Sequence, residues 1–321
     1  MARTWALGNP GHRSGRPFGR SRAGRNRRPG RITPLASPSG NEGPAVLRIT
    51  SVQNPHVKLA LKLRNRRARQ KQNRILIDGA RELHRALGAG VAIVEAFICP
   101  PLCRTEEARC VAAALQQASP QCFEVSEPVF RRLAFGQRAE GVLGIAQTPL
   151  VSLDRICLPP CPLVAVLEGI EKPGNLGAVL RSADGAGLSA VLVADPRTDL
   201  FNPNTIRASL GTVFTTPVAV ASAEQILAFL RQHTVAIYAA RVDAPTLYTE
   251  ADFRQPAAIV LGSEARGLSE RWHDVGMQPI RLPMRGVADS LNVSAAAAVL
   301  FYEALRQRRS EQAQSPPNPT T

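Results

Sequence analysis

The chain has 321 residues, 44% of them apolar, with 40 Lys and Arg against 25 Asp and Glu, a net charge of +15 and a sequence pI of about 10.8. No apolar run reaches about 18 residues, so a transmembrane helix is not expected, and the start of the chain lacks the apolar stretch of a secretory signal. Six cysteines are too few for a disulfide scaffold and fit a reducing compartment, while the excess of positive charge points to a polyanionic partner, nucleic acid above all.

Residues 1–45 are rich in Arg, Gly, Pro and Ser and nearly free of acid. Such a segment cannot bury enough surface to order itself. It is expected to be a disordered basic arm that adds salt-sensitive affinity for phosphates. A mitochondrial transit peptide is also Arg-rich and acid-poor, but Gly and Pro here spoil an amphipathic helix. A cytoplasmic location is therefore expected, with the mitochondrion as the alternative.

Residues 46–149 alternate between helical and strand patterns. The spacing predicts a helix from Pro55 to about Gln70, a strand over Arg74–Asp78 and a helix over Ala80–Leu87 stopped by Gly88 and Gly90. A strand in "VAIVEAFIC", a helix in "EARCVAAALQQA", a strand in "CFEVS", a short helix in "EPVFRRLAF" and a strand in "GVLGIAQ" follow. This alternation implies a small α/β sandwich. Its first helix is strongly basic, and Arg64, Arg66 and Arg67 are candidate RNA contacts. Cys99 and Cys103 here, and Cys157 and Cys161 later, could in principle supply four thiolates to zinc. The three-residue spacing within each pair is less usual than two, and the pairs fall in different modules, so no metal is expected.

Residues 150–162 read as a linker. From Leu163 the alternation resumes with "LVAVLEGI", a helix carrying Arg181, then "AVLVAD", "AEQILAFLRQH", "VAIYAAR" and "AAIVLGSEARGLS". "PIRLPM" leads to a last helix from about Val293 to Arg309, and residues 310–321 read as a disordered tail. Apolar strands joined by crossover helices make a mostly parallel sheet buried on both faces.

Three stretches carry chemistry. In "LEGIEKPGNLGAVLRSADGAG" a strand ends at a turn where Gly174 and Gly177 allow close backbone approach, with Asn175 suited to cap the helix that follows. Ligands of open α/β sheets bind at such strand ends. The turn is not a dinucleotide fingerprint, which disfavours a nicotinamide enzyme. In "IVLGSEARGLS" a second strand stops at Gly262, with Glu264 and Gly267 beyond it. In "IRLPMRGVADSLNVSAAAAVLFYEALRQRR" a loop brings Ser290, Leu291 and Asn292 to the start of a small-sided helix, where Ser290 or Asn292 could also serve simply as its cap.

Together these stretches resemble the three motifs of the SpoU/TrmH family of RNA ribose 2′-O-methyltransferases, within the SPOUT superfamily, over residues 163–309. Residues 46–149 resemble, less specifically, the L30e-like substrate-binding domain that members often carry. The resemblance implies an α/β catalytic domain with a mostly parallel sheet and a deep trefoil knot, S-adenosylmethionine as methyl donor, an RNA substrate (ribosomal ahead of transfer RNA) and a homodimer. It implies a catalytic role for Arg181, with Asn175, Glu264, Asn292 and Ser290 around it. It places the donor near Leu261, Gly262, Gly267, Leu282, Pro283, Met284 and Leu291, and makes Arg207 and Ser209 candidate RNA contacts. A guanidinium is a poor base, so Arg181 is expected to act on a developing alkoxide, with direct proton abstraction, helped by an RNA phosphate, as the alternative. The competing expectation is a catalytically silent RNA-binding or ribosome-assembly protein on the same scaffold. The presence of Asn175, Arg181, Glu264 and Asn292 argues against it.

Overall fold

The computed structural model describes residues 47–136, 139–273 and 276–314, with side chains as far as residue 310. The reading of residues 1–45 as a basic arm lies outside the described residues, as does the tail beyond Gln314. No helix among the described residues is long and apolar enough to cross a membrane.

The first half builds β1 (Leu47–Ile49), α1 (Pro55–Lys62), α2 (Arg66–Gln72), β2 (Arg74–Asp78), α3 (Ala80–Gly88), β3 (Ile93–Ile98), α4 (Glu106–Ala118), β4 (Gln121–Val125), α5 (Glu127–Leu133) and β5 (Val142–Gln147). Its sheet runs β1-β4-β3-β5-β2, with β5 antiparallel to both neighbours and the other pairs parallel. The single helix expected over residues 55–70 is two. Asn54 caps α1 by accepting from His56 N, and Asn65 restarts the chain as α2 by accepting from Arg67 N. The basic composition is uniform across the break, so only the asparagine marks it.

The second half builds β6 (Leu163–Glu168), α6 (Pro173–Ala186), β7 (Ala190–Ala194), α7 (Pro203–Ala208), β8 (Val218–Ala221), α8 (Ala223–Gln232), β9 (Ala236–Ala240), β10 (Thr246–Leu247), β11 (Ala257–Leu261), β12 (Met277–Arg281) and α9 (Val293–Gln314). Every pair in its sheet, β10-β12-β9-β11-β6-β7-β8, is parallel. The chain steps outward from β6 to β8, then returns to lay β9 and β11 on the other side of β6. The carboxyl ends of β6 and β11 therefore flank the point where strand order reverses, the usual ligand crevice of such sheets. β6 and β11 are buried along their whole length. Helix α9 runs to Gln314 rather than stopping near Arg309. Residues 310–314 are polar enough to read as a tail, yet Glu, Gln and Ala are good helix formers.

Gly177 lets α6 lie directly on α7, since a Cβ there would sit 2.6 Å from Thr205 O and from Ala208 Cβ. The two halves share one buried apolar cluster that takes in Leu83 and Val111 from the first and Leu176 and Val213 from the second. Guanidinium groups tie the junction. Arg69, 3% exposed, pairs with Asp199 at 2.7 Å and donates to Leu63 O and Arg64 O. Arg85 donates to Leu210 O at 2.6 Å, and Arg207 donates to Phe135 O.

Asp78 lies at this junction, accepting from Phe135 N, with Arg207, Glu140 and Glu82 nearby. Burial is the main cause that pushes its carboxyl up to about 7 from 3.8. Between those values the native state holds a proton that the unfolded chain has released. Stability from this group is therefore greatest below about pH 4 and declines as the pH rises to about 7. Asp78→Asn should remove a decline on the order of 4 kcal/mol accumulated between about pH 4 and 7. Denaturant melts from pH 5 to 8 would check this: a variant that loses stability as steeply as the wild type would show that Asp78 does not titrate in this range.

Candidate active site

Three strand ends and one helix start surround a cavity of about 580 Å³: Ala240 to Asp243 at the end of β9, Leu261 to Leu268 at the end of β11, Leu282 and Met284 after β12, and the 289–291 loop before α9. Its inner wall is apolar, through Leu261, Leu282, Leu291 and Leu300. At one end Arg241 and Asp243 form a bidentate pair at 3.0 and 2.6 Å, and the guanidinium holds the Asp243 carboxyl below the usual carboxylate range.

The turn after β11 is shaped by main chain. Ser263 and Gly267 exchange hydrogen bonds in both directions, at 3.1 and 2.9 Å. Gly262 lies so close beneath that bridge that a Cβ would fall 2.2 Å from Gly267 C. The requirement at Gly262 is thus close approach, whereas Gly267, at φ +65°, is the residue that reverses the chain. The far end of the turn is pinned by Glu168, 8% exposed, whose carboxylate accepts from both Ser269 N and Ser269 Oγ at 2.7 Å. Glu168→Ala should loosen the turn and weaken binding of a ligand in this cavity by about tenfold or more, with Glu168→Gln intermediate. Calorimetric titration with S-adenosylmethionine would check it, and unchanged affinity would mean the backbone bridge suffices.

A second cavity of about 290 Å³ adjoins the first, and Ser263, Glu264 and Val293 line both. At this shared wall the three sequence motifs meet. Glu264 accepts from Asn175 Nδ2, from the Lys172 ammonium and from Asn292 Nδ2, the last at 2.9 Å. Asn292 Nδ2 also donates to Asn175 Oδ1 at 3.4 Å. Asn292 serves its helix as well, because its Oδ1 accepts from Ser294 N. Cap and site roles thus fall on one side chain. Asn175 is not the cap of α6: Lys172 holds that position, Pro173 opens the helix and Asn175 is freed to face Glu264. The bond to Glu264 raises the Lys172 ammonium above the ordinary lysine value.

Other expected residues divide. Leu261, Gly262, Gly267, Leu282, Met284, Ser290 and Leu291 line the first cavity, and Pro283 does not. Arg181 is exposed, eight residues beyond Pro173 and about 12 Å along α6, and it lines neither cavity. Ser209 is fully buried, its hydroxyl donating to Ile206 O, so it has no surface to offer RNA. Arg207 is spent on Phe135 O. Arg64 turns inward to donate to the carbonyls of Arg132, Leu133 and Ala134 at the end of α5, and burial lowers its pKa. Arg66 and Arg67 remain on the surface. Sequence reasoning passed over Glu168, Lys172, Arg241 and Asp243. Each stands just inside or just past a strand end, and that position was the available clue.

Cys99 and Cys103 are buried, with the Cys103 thiol donating to Cys99 O and Gly141 O, while Cys157 and Cys161 are exposed. Among the described residues no group of three or more His, Cys, Asp or Glu is placed to hold a metal.

A parallel sheet whose strand-end loops enclose an apolar cavity beside an amide–carboxylate cluster, preceded by a basic α/β module, is the architecture of an RNA-modifying transferase. Residues 162–302 match the SpoU rRNA methylase family, and residues 54–144 match the MRM3-like substrate binding domain. The chain belongs to the SpoU rRNA methylase family, whose fold implies the trefoil knot. It is 28% identical, over 79% of its length and 97% of the relative's, to the 23S rRNA (guanosine(2553)-2′-O)-methyltransferase RlmP of Bacillus subtilis strain 168. A crystal structure of an RNA 2′-O ribose methyltransferase superposes with a TM-score of 0.73 at 43% identity, covering 82% of this chain and 100% of that one. The AdoMet-bound rRNA methyltransferase from Sinorhizobium meliloti superposes with a TM-score of 0.74 at 28% identity, covering 81% of this chain and 98% of its own. The family's methyl donor is S-adenosylmethionine. The first cavity fits it: apolar walls and main-chain groups of the 262–267 turn suit an adenine, and the Arg241–Asp243 pair suits the polar remainder.

Proposed function

We propose that this chain methylates a ribose 2′-hydroxyl of large-subunit ribosomal RNA, working as a homodimer. The observation that carries the reading is the convergence of Asn175, Glu264 and Asn292 on the wall between the two cavities. S-adenosylmethionine in the first cavity supplies an electrophilic methyl group on a sulfonium centre. The second cavity takes the acceptor ribose, with the two asparagine amides holding Glu264 toward its hydroxyl. Transfer makes an O–CH₃ bond, breaks the S–CH₃ bond and releases the hydroxyl proton to solvent. Much of the rate gain comes from this alignment.

Arg181 supplies the positive charge beside the developing alkoxide, and in this reading it comes from the partner copy. Two observations support that. Arg181 lines neither cavity of its own chain. Val299 and Tyr302 of α9 are 39% and 51% exposed, and the Tyr302 hydroxyl packs over Gly185 of α6, so an apolar face adjoins the arginine helix.

The purified chain with methyl-labelled S-adenosylmethionine and unmodified 23S ribosomal RNA should place label in one alkali-resistant dinucleotide. Binding of the donor without transfer to ribosomal RNA would favour a silent RNA-binding scaffold.

A further inference from the structure

Glu264 holds more partners than its neighbours need. Two are amides, one from the first turn of α6 and one from the loop before α9, and they share Oε1. The third, on Oε2, is the ammonium of Lys172, whose side chain is 69% exposed at the rim of the second cavity. An ion pair this open to water contributes little, so the lysine can leave it for a stronger anion. The next residue back repeats the pattern. Glu171 accepts from Arg197 Nη1 at 2.9 Å, with side chains 45% and 50% exposed. Arg197 is held near by its backbone, whose N–H donates to Ile170 O at 3.1 Å.

From there the line of charge crosses to the first half of the chain. Arg66 Nη1 donates to Arg197 O at 3.2 Å, and Lys62 and Arg67 lie exposed on the same α1–α2 elbow. Among the described residues, no carboxylate is paired with Lys62, Arg66 or Arg67. Lys172 and Arg197 are thus each covered by a carboxylate, whereas Lys62, Arg66 and Arg67, farther out, are not. That gradient suits a nucleic-acid strand that meets the open charges first and displaces the covered ones last.

We propose that Lys172 and Arg197 bind two backbone phosphates of the acceptor strand, exchanging Glu264 and Glu171 for them, with the strand continuing onto the Lys62–Arg67 elbow. The assignment rests on the RNA-methylating reading above. It also couples binding to the site: when Lys172 moves to phosphate, Oε2 of Glu264 is released at the wall between the cavities. A carboxylate neutralised in the free enzyme becomes an acceptor only when RNA is seated.

The test uses the full chain, with unmodified 23S ribosomal RNA as probe. Lys172→Ala should raise the RNA Kd and KM about tenfold and flatten the log–log salt dependence of binding by about 0.7–0.9. The loss should fall mainly on KM rather than kcat. Lys172→Arg, which keeps the charge, should recover most of it, and S-adenosylmethionine affinity should hold in both. Arg197→Ala should flatten the salt dependence again by a similar amount. An unchanged RNA Kd and salt slope in Lys172→Ala would overturn the assignment. So would a loss confined to kcat, which would make the lysine a brace for Glu264. If the wild type binds RNA with these dependences yet transfers no methyl group, the phosphate contacts stand and the catalytic reading falls. If it binds no RNA, both fall.

Discussion

Arg181→Ala should lower methyl transfer by about 10²–10³-fold, the loss seen when one donor to a developing oxyanion is removed. S-adenosylmethionine affinity and melting temperature should stay at wild-type values, because the side chain is exposed and lines neither cavity. Arg181→Lys keeps a positive charge but loses the planar fork of donors, so it should recover only part of the rate. Mixed dimers sharpen the test. A chain carrying Arg181→Ala and one carrying Gly262→Ala are each inactive alone. If the arginine serves the partner's cavity, co-expression restores about a quarter of wild-type activity, since half the dimers are mixed and each has one intact site. If it serves its own chain, co-expression restores nothing, and the two-chain reading of the site is wrong.

Gly262→Ala should abolish donor binding, with affinity lower by about 100-fold or more. One methyl group placed 2.2 Å from the Gly267 carbonyl carbon cannot be absorbed by a side-chain rotation, because the obstacle is main chain. The turn must open, and the backbone groups facing the cavity move with it. Loss of fold in that variant would confuse the result, so another lining residue offers a gentler probe. Leu291 is 42% exposed and lines the same cavity, and Leu291→Trp should narrow it without disturbing the core. Calorimetric titration of both with S-adenosylmethionine is the measurement. Full affinity in Leu291→Trp together with a folded, fully binding Gly262→Ala would place the donor elsewhere.

What could be read from the sequence was set by how local each cause is. The strands β6, β7 and β11 are unbroken apolar runs, and burial on both faces leaves no other use for them. The site cluster was legible through the family resemblance of its three motifs, since each turn taken alone reads equally well as an ordinary helix start. The misreadings came where a side chain's partner is distant in the chain. Arg64 has the composition of an RNA contact, but its carbonyl partners lie about seventy positions on. Ser209 sits in a polar-looking loop that α6 covers by way of Gly177. Arg207 reaches Phe135, also across the junction. Glu168 closes an apolar strand, and nothing near it foretells Ser269 as its partner. The two-residue β10 is too short for any pattern to announce it.

The arginine ties between the halves carry one more implication. Arg69 to Asp199, Arg85 to Leu210 O and Arg207 to Phe135 O brace the basic elbow and the methyl-transfer cavity at a fixed separation. If the elbow grips RNA as proposed, the enzyme acts as a caliper, and a nucleotide would be chosen partly by how far it lies from the feature held at the other jaw. Grafting a relative's front module onto this catalytic half would not by itself redirect the methyl group; the graft would also have to reproduce the gauge.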